Sequence, residues 1–187
     1  MKKVSILGLI AIALAFSTTA LAANKLVSTK THIKFFSTTP AENIEANNYS
    51  SVGTVNTEAG DVVFVVTMQG FEFEKALMQK HFNGADFLDT KQFPTAKLKA
   101  KLQNMELLKK NANGTTEAEV IGELTIKGVT KPVKIKGTVT LKEGKYSLTS
   151  KFNITLADYG ILFVKGKPAS NIAKTVEVTV HAELKSE

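Results

Sequence analysis

From Thr95 to Leu184 the chain alternates apolar and polar residues in one strand-length segment after another. Thr95–Leu102 places Ala96, Leu98, Ala100 and Leu102 on one side and Lys97, Lys99 and Lys101 on the other. Glu117–Lys127 repeats the pattern with Ala118, Val120, Gly122, Leu124 and Ile126, and Lys131–Lys142 with Val133, Ile135, Gly137, Val139 and Leu141. Lys145–Leu156 follows with Tyr146, Leu148, Ser150, Phe152, Ile154 and Leu156, then Lys174–Lys185 with Val176, Val178, Val180, Ala182 and Leu184. Successive side chains on a strand point to opposite faces, so this period predicts strands with one wet and one dry face. Joined by short turns, such strands form an antiparallel sheet curled around one apolar interior. No acidic or basic side chain falls on the inward positions.

The first half is less regular. Lys30–Ser37 predicts an opening strand with Ile33 and Phe35 inward and His32 and Lys34 outward. Thr38–Tyr49, with Pro40 and Asn47-Asn48, reads as a loop or irregular strand. Ser50–Asn56 and Asp61–Met68 predict a hairpin about Glu58-Ala59-Gly60. In its second arm Val62–Val66 is apolar on both faces, and the following segment is the expected cover for the outer one. Phe71–Glu74 reads as a short strand. Lys75–Phe82 sets Leu77, Met78, His81 and Phe82 at helical spacing, with Asn83-Gly84 as a stop, and Phe87-Leu88 to Phe93-Pro94 continue it as a cap. Turns are expected at Asn113-Gly114, Gly128–Pro132 and Glu143-Gly144, the last a two-residue hairpin loop. Ala157–Ala173, with Gly160, Gly166 and Pro168, reads as an irregular rim or lid. The expected class is all-β with one short helix.

Lys2-Lys3, the apolar run Val4–Phe16 and Ala20-Leu21-Ala22 have the form of a secretory signal peptide, with cleavage expected after Ala22. The run is shorter than the about 20 residues that span a bilayer. The expected organisation is therefore a signal peptide over 1–22 and a single domain over 23–187, soluble in the periplasm or otherwise exported. Cysteine is absent, which removes disulfides and thiolate chemistry from consideration. The 24 basic residues are all Lys, and the net charge of +7 falls to +5 without Lys2 and Lys3. Without Arg for bidentate contacts, nucleic acid is a poor partner. Mild basicity suits transient contact with an anionic membrane surface, although lysines spread along strands serve equally to solvate a face and discourage edge pairing.

Candidate chemistry is sparse. His32, His81 and His181 lie far apart, and none has the spacing of a helical zinc site. His181 falls on a polar strand face. His81, beside Phe82, reads as a hydrogen-bonded core histidine. Glu72 and Glu74 share a strand face as outward charges. Gly160–Lys167 departs from a phosphate loop in glycine spacing and has Pro168 where Ser or Thr is needed. A lipid-directed hydrolase or isomerase would rest on His81 near Glu72, Glu74 or Asp86 alone. No metal, cofactor or catalytic residue is expected, and the protein is not expected to be an enzyme.

An eight-stranded barrel is either filled by its own side chains or holds one small ligand. Ala96, Ala100, Ala118, Gly122, Gly137, Ser150 and Ala182 are small inward residues. They either relieve crowding or leave a slot. An uncharged slot would favour a long hydrocarbon, since each buried methylene contributes about 0.8 kcal/mol.

Gly122-Glu-Leu-Thr-Ile-Lys-Gly-Val-Thr-Lys-Pro-Val133 closely resembles the G-x-L-T-I-x-G-V-T-K-P-V signature of the YceI-like proteins. Phe152-Asn-Ile with Asp158-Tyr-Gly-Ile161, Phe35–Glu45, and Leu77–Phe82 leading to Phe93-Pro94 are similar to further elements of that family. The resemblance implies an antiparallel, eight-stranded, lipocalin-like β-barrel, exported to the periplasm, with a polyisoprenoid or isoprenoid quinone inside. Where the more familiar branch carries Arg-Asp-x-His, this chain has Ala76–His81 and no Arg. His81 then becomes the expected head-group contact, with Lys75 or Lys80 as substitutes. The expected apolar lining is Ile33, Phe35, Phe71, Phe73, Leu98, Leu124, Phe152 and Ile154, with Leu77, Met78, Phe82 and Phe87 as cap and Ile161 and Phe163 as rim. The function this reading points to is a non-catalytic carrier of a long isoprenoid-type lipid. The alternative is a packed barrel acting as an interaction or stress-response module. Exposed strand edges make a homodimer a reasonable expectation.

Overall fold

Ten strands form one antiparallel sheet in a computed structural model that describes residues 24–40, 42–106, 114–162 and 173–187. They are β1 (Lys25–Thr38), β2 (Asn43–Asn48), β3 (Val52–Asn56), β4 (Asp61–Thr67), β5 (Phe71–Phe73), β6 (Thr95–Leu102), β7 (Thr115–Ile126), β8 (Val129–Lys142), β9 (Lys145–Thr155) and β10 (Thr175–Ser186). Helix α1 (Ala76–Asn83) lies between β5 and β6. The sheet order is β10-β9-β8-β7-β6-β4-β3-β1-β2-β5, and β1 also pairs with β10, closing the sheet on itself.

The ten segments make an eight-stranded barrel because two strands are bent. β1 spends one edge on β10, from Leu26↔Ser186 to Phe36↔Glu177. On its other edge it pairs first with β3 at Lys25–Val27 and then with β2 at Ile33–Thr38. β2 and β3 are thus two legs of one bent strand. β4 follows β3 and β5 follows β2, with a 3₁₀ turn at Met68–Gly70 between them. Asn48 holds both bends. It is fully buried, its Nδ2 donates to the Thr67 carbonyl at 2.7 Å, and its Oδ1 accepts from Ser50 N at 2.9 Å and Ser51 Oγ at 2.8 Å.

That asparagine explains why, of the loop or irregular strand expected over Thr38–Tyr49, Asn43–Asn48 is strand β2. Its inward positions include Ala46 and Asn48, so a polar residue buried for its hydrogen bonds breaks the hydrophobic alternation. A second difference concerns β4. Val62 and Phe64 are buried, whereas the outward Val63 and Val65 are only partly buried. Their cross-strand neighbours are Thr54 and Val52 on one side and Lys99 and Lys97 on the other, whose aliphatic stems can shield them. Third, the expected turn at Gly128–Pro132 contracts to Lys127 and Gly128, with φ of 49° and 74°, and Pro132 belongs to β8. The loop at Glu143-Gly144 has φ of 51° and 75°, the geometry of a two-residue hairpin turn. The signal-peptide segment and Asn113 lie outside the described residues.

Candidate functional site

Inward residues pack in two groups at opposite ends of the barrel. Leu26, Val55, Val62, Phe64, Ala182 and Leu184 fill the end where β1 begins. Phe71, Phe82, Leu88, Leu124, Ile126 and Ile161 belong to the group at the end covered by α1. Between and beside them lies a cavity of about 830 Å³. That is within the range of about 300–1,000 Å³ typical of small-molecule sites. The barrel is hollow, so an interior packed solid by its own side chains is not what this sequence builds.

Helix α1 is positioned by its C-terminal end. Gly84 N donates to the His81 carbonyl at 3.1 Å, and Lys80 and His81 stand in the last turn, where positive charge complements the helix dipole. Asn83 receives the hydroxyl of fully buried Thr90 on its Oδ1 at 2.8 Å, and Leu88 N donates to the Phe82 carbonyl at 3.3 Å. These bonds tuck the chain beneath the helix and drive Phe82 into the barrel. Its ring meets Phe35, Phe71, Phe73 and Phe87 at centroid distances of 5.7, 5.4, 5.0 and 6.3 Å. Aromatic pairs at such distances contribute about 0.5–1.5 kcal/mol each beyond area burial.

Every expected lining residue that lies within the described residues borders this cavity. Ile33, Phe35, Phe71, Phe73, Leu98, Leu124, Phe152 and Ile154 form walls, Met78, Phe82 and Phe87 stand under the cap, and Ile161 stands at the rim. Leu77 also borders it, yet is 63% exposed at the mouth rather than folded over it. Phe163 lies outside the described residues. His81 is exposed at the mouth, which corrects its reading as a core histidine. The helical period put it one position from Phe82, and only the direction in which α1 enters the barrel decides which of the two turns inward. Glu42, Lys75, Lys80 and Asp86 share the mouth with it, and Lys75 Nζ lies 3.4 Å from Glu42 Oε2. Lys136 also borders the cavity but is exposed on the outer face of β8.

Sequence reasoning missed Val62, Phe64 and Val66 as walls, because a strand apolar on both faces conceals which face turns in. Val176 and Val178 were legible as inward, but nothing in their spacing distinguishes a wall from packed core. The small inward residues divide. Ala96, Ala118, Gly137 and Ser150 border the cavity, whereas Ala100, Gly122 and Ala182 do not. At Gly122 a Cβ would lie 2.1 Å from the Lys99 carbonyl oxygen, so that glycine serves a close approach of β7 to β6. Outside the barrel, His32 stacks on Tyr49 at 4.7 Å and its Nε2 donates to Asn47 Oδ1 at 2.8 Å, while His181 Nδ1 lies 3.2 Å from Thr149 Oγ1. Among the described residues no three His, Asp or Glu side chains are grouped to hold a metal.

Comparison with known proteins places this architecture. A polyisoprenoid-binding domain from Saccharophagus degradans superposes with a TM-score of 0.73 at 14% identity, covering 88% of this chain and 99% of that one. BcnA of Burkholderia cenocepacia superposes with a TM-score of 0.67 at 18% identity, covering 82% and 95%. These likenesses concern the fold. In sequence, a UPF0312 protein of Pseudomonas fluorescens is 38% identical over 99 residues, 49% of this chain and 48% of that protein. A UPF0312 protein of Yersinia pestis is 34% identical over 121 residues, 62% and 58% respectively. The chain spans about half the length of the curated relatives it matches. The YceI-like domain matches residues 20–184, nearly the whole of the barrel, and the chain belongs to the YceI-like family.

Proposed function

We propose that this protein is an exported, non-catalytic binding protein that holds a long apolar lipid of isoprenoid or isoprenoid quinone type inside its barrel. The observation that carries the reading is the cavity of about 830 Å³, whose deep walls are mainly Ile, Val, Leu, Phe and Ala, while its charged neighbours gather at the mouth except Lys136, which is exposed on the outer face of β8. A hydrocarbon chain gains about 0.8 kcal/mol for each methylene buried there. A charge in the same place would cost several kcal/mol unless paired. The guest is therefore apolar along most of its length, with any polar head at the mouth near His81, Lys75 and Lys80. A relative of the same fold being a polyisoprenoid-binding domain supports this class of guest.

The test is organic extraction and mass spectrometry of folded protein purified from a bacterial periplasm. An isoprenoid-type lipid in roughly molar amount is the expected result. Ala96→Phe, which puts a ring into the hollow beside Val66 and Leu98, should abolish that content while leaving the protein folded. A well-folded wild-type protein that carries and takes up nothing apolar would end the proposal.

A further inference from the structure

The barrel wall has an open seam. β8 and β9 pair from Lys142↔Lys145 only as far as Gly137↔Ser150. Beyond that point both strands continue, β8 to Val129 and β9 to Thr155, each paired on its other side but not with one another. The parting is built into the sequence. Ser150 Oγ donates to the Lys136 carbonyl at 2.6 Å, replacing the ladder bond that would come next. A Cβ on Gly137 would lie 2.5 Å from the Thr149 carbonyl oxygen, so the strands cross closely there before they separate. Pro132, on the parted stretch of β8, has no N–H to give, and proline within a sheet is confined to edges.

The gap is a second cavity of about 410 Å³. Leu124, Ile135, Phe152 and Ile154 line both this cavity and the large one, so among the described residues these four side chains alone form the partition between them, while Lys131, Lys134, Asn153 and Asp158 line the outer side. The 3₁₀ turn Leu156–Tyr159 lies against it, and Tyr159, only 4% exposed, contributes to its lining. Passage elsewhere through the wall would break interstrand hydrogen bonds. At the seam those bonds are already absent, and among the described residues opening it takes rotation of the partition side chains and displacement of Tyr159 with its short turn.

We propose that the β8–β9 seam is a lateral port through which an apolar chain passes between the barrel interior and a membrane, with Tyr159 as its latch. This rests on the lipid-binding reading, and adds a route distinct from the mouth beside α1. The chain contains no cysteine, so Lys134→Cys with Asn153→Cys supplies a unique thiol pair. Both residues are exposed and face one another across the seam when the ladder register is extended. Uptake of a dansylated farnesyl lipid from phosphatidylcholine vesicles is followed by fluorescence, before and after bridging the pair with a short bismaleimide. Bridging should slow uptake by on the order of tenfold, as expected for a blocked gating step, while protein loaded first and bridged afterwards keeps its lipid. Tyr159→Ala, unbridged, should speed exchange. Equal rates with the seam bridged and unbridged would overturn the port and leave the carrier reading standing. Absence of uptake by the unmodified protein would overturn both.

Discussion

Two inward-facing glycines allow the hollow interior to be tested through stability alone. At Gly122 an added Cβ would lie 2.1 Å from Lys99 O, 2.4 Å from Ala100 Cα and 2.6 Å from Ala100 Cβ. These are mainly backbone atoms of β6, fixed in the ladder by Leu98↔Leu124 and Ala100↔Gly122. Since carbon atoms rest at about 3.5–4.0 Å, Gly122→Ala must push β6 and β7 apart. Overpacking costs about 1–3 kcal/mol, and a backbone obstacle puts this case at the upper end. In a domain of this size about 3 kcal/mol lowers the melting temperature by about 6–12 °C. At Gly53 the obstacle is the Phe64 ring, with Cε1 and Cζ at 2.4 Å. That ring borders the cavity and has empty space to turn into. Gly→Ala also lowers the entropy of the unfolded chain by about 0.4–1 kcal/mol equivalent. Gly53→Ala should therefore remain within about 1 kcal/mol of the parent. Calorimetry of both variants in lipid-free protein decides the matter. A Gly53→Ala loss equal to or greater than that of Gly122→Ala would mean that Phe64 has nowhere to go, and the cavity argument would fail.

Other outcomes follow from individual side chains. Asn48→Ala strips three hydrogen bonds from the two bends and should cost about 3 kcal/mol in a denaturant titration, since buried groups left without partners cost about 1–3 kcal/mol each. Thr31→Val should raise stability by about 1 kcal/mol in the same titration, because Thr31 Oγ1 is a buried hydroxyl without a partner among the described residues. Burial, and secondarily the neighbouring Asp158 carboxylate, raises the Tyr159 phenol above its ordinary value of 10.0. A group held neutral in the folded state stabilises fully below its unfolded pKa, and that contribution disappears as pH rises toward the folded one. Thermal stability should thus fall above about pH 10, and Tyr159→Phe should reduce the fall measured by melts across alkaline pH.

The alternation from Thr95 onward was enough to assign β6 to β10 and their inward faces, because a one-residue slip would turn every apolar side chain of a strand to water. The same pattern marked Leu98, Leu124, Phe152 and Ile154 as interior, and the helix was legible from Leu77, Met78 and Phe82. What alternation reports is burial by something, and it is silent on what does the burying. Whether Ala96 faced a neighbour or a void, and whether Gly122 made room for a guest or for the β6 backbone, depended on distances between strands far apart in the chain. The bends at Asn48 and the parting at Ser150 were invisible for a related reason. In one dimension Asn48 looks like any residue that meets solvent and Ser150 like any small inward residue, and neither reveals the hydrogen bonds it makes. Only closure of the sheet, with β1 against β10, determines which partners such residues find.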